Sequence, residues 1–295
     1  MKKVLTLIIG SVMLMTASST ANIPKNPALE IMGNYWLLHH EENFINPYLV
    51  NLMALDLMRN DTDMRIIRDY IEWYIEHLNY PDKFGLTGSI YDYKIYSDGK
   101  KVSLDKYDST DSYAATFMLV LYEYYQHTGD KKLFQKYRRR LEDMVYLIPY
   151  LQDRDGLTVA IPKTTGKYLM DNCETYAGLT AFIELAREFG WQIHEPLEIV
   201  REKLRIGILN RFYNSEGRHF YWMIDGSYCK QPEWHSFYPD AFAQLFPILY
   251  LMIPDEYGIK SELWEKFHKW HGHRVEELPT EQKLIYNWAA EVMIK

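Results

Sequence analysis

The chain has 295 residues, a formal net charge of −7, and an aromatic content of 15% that includes 25 tyrosines. The acidic balance argues against a nucleic-acid partner, which would call for a basic face. The length suits one large domain or two small ones. No Gly/Ser/Pro-rich linker or low-complexity run divides it, so a single domain is expected over residues 22–295.

The chain opens with Lys2 and Lys3, an apolar centre from Val4 to Met15, and the small residues Ser19, Thr20 and Ala21. That order reads as an export signal over residues 1–21, with an apolar centre too short to span a bilayer. No cysteine follows it for acylation, and no later stretch is long and apolar enough to cross a membrane. A periplasmic or secreted protein is expected, with no membrane span.

A first amphipathic segment covers about Pro27 to His40, followed by an apolar one, Ile45 to Met58, and an amphipathic one, Thr62 to Leu78. The stretch Tyr107 to Asp130, YDSTDSYAATFMLVLYEYYQHTGD, opens on Ser, Thr and Asp, whose oxygens accept bonds from first-turn amides. It ends at Gly129, a usual stop because glycine takes the left-handed cap without a side-chain clash. Between these signals the helix is apolar nearly all round and must be buried on all sides. The next helix sets Leu133, Phe134, Tyr137, Leu141, Met144, Val145 and Ile148 opposite a basic face, as a surface helix does.

The pair repeats. Glu174 to Gly190 is an inner type followed by the outer Pro196 to Leu209, and Pro239 to Met252 is inner followed by the outer Ser261 to Trp270; Thr280 to Ile294 closes the chain. Inner helices follow Asp108, Asp171 and Asp240 at roughly 60–70 residues, a spacing that fits a repeated supersecondary unit. Inner-to-outer turns are short, whereas outer-to-inner connections are long and strand-like. If inner helices run side by side, the long loops gather over their N-termini, where function usually sits. The expected fold is all-α, a toroid of about five to six helical hairpins with short β-hairpin loops at one end.

Acid recurs at that end: Asp108 and Asp111, Asp171 and Glu174, Asp240, Asp92 in a strand-like loop, and Glu41 and Glu42 before the first inner helix. Around them stand Tyr91, Tyr93, Tyr107, Trp222, Trp234 and Tyr238. Cleavage of a glycosidic bond needs one carboxyl to protonate the leaving oxygen and another to activate water or attack the sugar. A helix N-terminus stabilises a carboxylate, and an apolar site keeps a proton on its partner. The same aspartates also serve as plain helix caps, and tyrosine and tryptophan pack ordinary helices as readily as they stack on sugars. His235 is the histidine placed nearest the funnel. His271 and His273 lack a third ligand nearby, so no metal and no cofactor is expected. Cys173 and Cys229 can pair, for ~4 kcal/mol in a loop of that size, or remain two separate thiols.

Three motifs, Tyr107-Asp-Ser-Thr-Asp-Ser-Tyr-Ala-Ala-Thr, Asp171-Asn-Cys-Glu-Thr-Tyr-Ala-Gly and Phe237-Tyr-Pro-Asp-Ala-Phe-Ala-Gln, resemble the six-hairpin glycosidase superfamily. The resemblance implies an (α/α)6 toroid across most of the mature chain. More loosely, Ser109-Thr110-Asp111-Ser112 is similar to the Ala-Thr-Asp-Gly stretch of toroidal bacterial endoglucanases, which implies that Asp111 positions the sugar. Tyr238-Pro239-Asp240-Ala241 resembles their Tyr-Asp-Ala, which implies Asp240 as general base. Their Ser-Glu-Gly acid motif has no counterpart in the HHEENFINPYLVN region. The acid then falls to Glu41 or Glu42, or to Asp92, Asp108 or Glu174, with Asp108 and Glu174 preferred.

The expectation is an exported glycoside hydrolase acting on a bacterial polysaccharide or its oligosaccharides. Tyr91, Tyr107 and Trp234 would be the stacking platforms, and Asp92, Asp171 and His235 further sugar contacts. The alternatives are a catalytically silent toroid that binds polysaccharide, and a helical scaffold for a protein partner.

Overall fold

A computed structural model describes residues 26–35, 44–60, 62–96, 100–193, 196–251 and 258–294. The segment read as an export signal, and Glu41 and Glu42, lie outside the described residues. The first helices are α1 (Pro27–Tyr35), α2 (Pro47–Arg59) and α3 (Met64–Glu76). They lead into α4 (Thr110–Thr128), α5 (Lys131–Val145) and the short α6 (Leu147–Leu151). Then come α7 (Leu169–Glu188), α8 (Leu197–Gly207), α9 (Leu245–Tyr250), α10 (Ile259–His271) and α11 (Thr280–Ile294).

Among the described residues α2, α4, α7, α9 and α11 pack in succession, and α11 returns against α2 to close a ring. Outside it, α3 and α5 pack on α4, α8 on α7, and α10 on α9. This is the toroid that the alternation of apolar and amphipathic helices predicts, with an inner ring of five among the described residues.

The sequence dictates the ends of α4. The Ser109 hydroxyl accepts from the Ser112 amide, and Gly129 takes the left-handed cap at φ 61°. Thirteen of its residues, from Thr110 to Tyr125, are buried. α4 and α7 pack tightly at Gly178, where a Cβ would lie 2.5 Å from the Ala115 carbonyl oxygen, so only glycine permits this separation. On the other side Asn51 ties α2 in. Its amide donates to the Tyr113 carbonyl (3.2 Å) and Thr116 Oγ1 (2.9 Å), and its oxygen accepts from Tyr70 (2.7 Å). A buried amide with its partners satisfied fixes one arrangement of the helices around it.

The long connections form small antiparallel sheets. β1 (Phe44–Ile45), β2 (Tyr93–Ile95) and β3 (Lys101–Ser103) lie in that order. β4 (Gly166–Tyr168) pairs with β7 (Met223–Asp225), which pairs with β8 (Tyr228–Lys230); β5 (Tyr213–Asn214) and β6 (His219–Phe220) make a separate pair. The fourth inner segment departs from the continuous helix expected over Pro239 to Met252. A wide helical turn, Phe237–Ala241, contains an extended Tyr238 (φ −118°, ψ 133°), and a turn at Gln244 separates it from α9, which starts at Leu245. Cys173 and Cys229 are both free, so the possible disulfide is not formed. No helix among the described residues is long and apolar enough to cross a membrane.

Candidate active site

The N-termini of α4 and α7 open onto two cavities. The smaller, about 250 Å³, is walled by Asn46, Tyr48, Leu49 and Leu52 at α2, by Phe242, and by Glu281, Gln282 and Ile285 of α11. The larger, about 570 Å³, is bounded by Ala160, Ile161, Thr164 to Gly166, Tyr168, Trp222, Asp225 and Pro239. Asp108, Ser109, Met170, Asp171 and Tyr238 line both, so they form the divide between the two spaces.

Behind that divide lies a buried network of acids and hydroxyls. Asp111 is fully buried; its Oδ1 accepts from Ser109 Oγ (2.7 Å) and the Ser112 amide (2.9 Å), and its Oδ2 from Thr158 Oγ1 (2.5 Å). Thr158 is delivered by the α6-to-α7 connection, held by bonds from Thr158 N to Asn172 Oδ1 and from Thr110 N to the Ala160 carbonyl. Ser109 also lies 2.9 Å from Asp171 Oδ2. Glu174, one turn along α7, accepts from Ser112 and from the Tyr48 hydroxyl.

Burial governs the protonation of these groups. It pushes Glu174 up to about 8, against the opposing hydrogen bonds of Ser112 and Tyr48. Asp171 is held well above the usual carboxylate range by burial first, then by the charges of Asp111 and Glu174. Burial raises Asp111 as well, while donors from Thr158, Ser109 and Ser112 pull it back. A helix N-terminus favours the charged form; here desolvation and like-charge repulsion outweigh it.

The expected residues therefore divide. Asp108 and Asp171 face the cavities, with Asp111 and Glu174 directly behind. Asp92 is one step further back, accepting from Tyr113 (2.9 Å) and raised by burial to about 6. Tyr91 and Tyr107 are buried and stack on each other at 5.4 Å. Their hydroxyls are bound to Lys83 N and Asp82 Oδ2, so these rings have no face open to a sugar. Trp234 and His235 line neither cavity. The Trp234 carbonyl is tied to His271, and His235 is an exposed residue beside Glu233. Asp240 lines neither cavity; its Oδ1 accepts the Glu233 amide at 2.9 Å and braces that loop. The extended Tyr238 takes the cavity-facing position in its place, with Trp222 and Tyr168 beyond it. No cluster of three or more His, Cys, Asp or Glu among the described residues is arranged to hold a metal ion.

Three participants escaped the sequence reading. Ser112 sat unremarked within a quoted motif, and Tyr48 opened an apolar helix. Thr158 gave no signal, because nothing local to a loop threonine reports an aspartate 47 positions earlier.

No family model and no curated protein matches the sequence. Among solved structures, the chain is similar to a rhamnosidase from Klebsiella oxytoca with rhamnose bound, at 13% identity and a TM-score of 0.56 over 91% of this chain and 56% of that one. It is also similar to a GH78 family rhamnosidase of Bacillus sp. GL1, at 12% identity and a TM-score of 0.54 over 91% of this chain and 29% of that one. The chain thus spans just over half of the first protein and under a third of the second. At such identities the likeness shows the fold alone, a helical toroid.

Proposed function

We propose that this protein is an exported glycoside hydrolase of bacterial polysaccharides or oligosaccharides, with Asp171 as general acid and Asp108 as the base that activates water. The observation that carries the reading is the divide itself. Two carboxyls shared by two cavities flank the place where a glycosidic bond would cross from one to the other. An acid must hold its proton more tightly than an ordinary carboxyl does, and burial and neighbouring charge push Asp171 that way. Asp108 is exposed, as a group that meets water must be. Export rests on the opening segment of the sequence.

The cavity walls also favour a neutral sugar. Asp108, Asp171, Asp225 and Glu281 line them, and no lysine, arginine or histidine does so among the described residues. A uronic acid would meet only like charge there. Because the similar structures are rhamnosidases, rhamnose-containing oligosaccharides and aryl rhamnosides head the substrate panel.

The test is sugar release across neutral oligosaccharides by wild type, Asp171→Asn and Asp108→Asn. Each variant should lose about 10²–10⁴-fold in kcat with an unchanged melting temperature. Asp171→Asn should be largely spared on a nitrophenyl glycoside, whose leaving group needs no proton. Absence of release by wild type from every substrate, or wild-type rates in Asp171→Asn on unactivated substrates, would sink the reading.

A further inference from the structure

A serine hydroxyl has one hydrogen to donate and two lone pairs to accept with. Ser109 Oγ has three neighbours at hydrogen-bond distance: the Ser112 amide (3.3 Å), Asp111 Oδ1 (2.7 Å) and Asp171 Oδ2 (2.9 Å). The amide takes one lone pair, and the single hydrogen goes to one carboxyl. The remaining lone pair then faces the other carboxyl, an acceptor against an acceptor in a buried site, unless that carboxyl carries a hydrogen of its own. Two ionised carboxylates therefore cannot both be satisfied by this serine.

The surroundings decide which carboxyl holds the proton. Asp111 has donors on both oxygens without drawing on any proton of its own. The Asp171 carboxyl has Ser109 as its one hydrogen-bond partner among the described residues. The titratable groups facing it are Asp111 from α4, Asp108 just before the α4 cap, Glu174 and Cys173 from its own helix, and Tyr48, Tyr168 and Tyr238 around it. None of these brings a positive charge at neutral pH.

We propose that Ser109 is a positioning residue that orients a protonated Asp171, accepting its hydrogen while donating to Asp111, and turns its own hydrogen to Asp171 once that proton has been given up. The use made of the proton rests on the hydrolase reading. As the bond from the anomeric carbon to the leaving oxygen breaks, its electron pair stays on that oxygen, which takes the Asp171 proton. Water adds to the anomeric carbon and gives its proton to Asp108. Exchange with solvent returns a proton to Asp171 and removes one from Asp108, so the cycle closes with one water consumed. Asp111 keeps the Ser112 and Thr158 donors throughout.

The experiment is infrared difference spectroscopy at pH 7 on the full chain without substrate, in a Glu174→Gln background that removes the acid burial pushes up to about 8. Subtracting the Asp171→Asn spectrum should reveal a protonated-carboxyl stretch. Ser109→Ala should keep that stretch but move it to higher wavenumber, because its hydrogen loses its acceptor. Ser109→Thr, which retains both cap and hydroxyl, should restore the position. A stretch lost in Asp111→Asn but kept in Asp171→Asn overturns the proposal, as does one that Ser109→Ala leaves unmoved, or no stretch at all. The band is read without turnover. An inactive enzyme showing the expected band would refute the hydrolase reading and leave the proton assignment standing.

Discussion

The α4–α7 pair and the Phe237–Tyr250 segment begin from similar sequences, acid just before an apolar run, and put that acid to different ends. In α4 and α7 the aspartates lie in the first turn of regular helices that run side by side, so both N-termini converge on one place. In the Phe237–Tyr250 segment an extended Tyr238 interrupts the turn, sending the ring toward the cavities and the Asp240 carboxylate to the Glu233 amide. The backbone path at the helix start decides whether an acid faces a cavity or braces a loop. Residue type alone does not.

The comparison breaks most severely if the α4–α7 seam is forced open. Gly178→Val places a side chain against the Ala115 backbone, where the Cβ alone would be 2.5 Å from the carbonyl oxygen. A cost of about 3 kcal/mol or more is expected, or roughly 6–10 °C in melting temperature, together with loss of activity. A variant melting like wild type would show that the seam is not the rigid side of the comparison.

A pH series sharpens the contrast. Glu174 binds its proton more tightly folded than unfolded, so its contribution is full below its unfolded pKa of about 4.5 and is lost as pH rises through about 8. Wild type should lose stability from pH 5 to 9. Glu174→Gln should flatten that loss by on the order of 2 kcal/mol, less than full conversion of the shift because water can enter as the group ionises. Asp171 and Asp92 carry shifts of the same sign, so some slope should remain. Parallel melting curves for the two proteins would rule out a buried, proton-bearing Glu174.

The smallest effect is expected at Asp240. Asp240→Asn keeps an oxygen for the Glu233 amide, so stability should change by under about 1 kcal/mol and kcat by no more than a few-fold. A hundredfold loss in kcat with stability intact would return the base role to Asp240 and erase the distinction drawn between the two regions.

Much of the fold was legible because helix periodicity and caps are local. The Ser109 cap, the Gly129 stop and the inner and outer character of α4 and α5 all follow from residues within a few positions of one another. The convergence of Asp108, Asp111, Asp171 and Glu174 was legible too, since repeated acids at the starts of neighbouring helices must meet if those helices run side by side. The aromatic assignments were not. Tyr91 and Tyr107 carry the chemistry of a sugar platform, yet Asp82 and Lys83 bind their hydroxyls and turn the rings onto each other. Composition cannot separate a tyrosine stacked on a neighbour from one open to solvent. Thr158 was hidden for a different reason, because its partnership depends on how a long connection folds back.

The closure of the ring by α11 against α2 has a consequence for the order in which the protein is built. Asn46 and Tyr48 leave the ribosome long before Glu281, Gln282 and Ile285, and all five wall the same cavity. Hairpins can form as they emerge, since each is local in sequence. The smaller cavity has no such partial form. It comes into being only when α11 docks against α2, which makes binding competence wait on the synthesis of both.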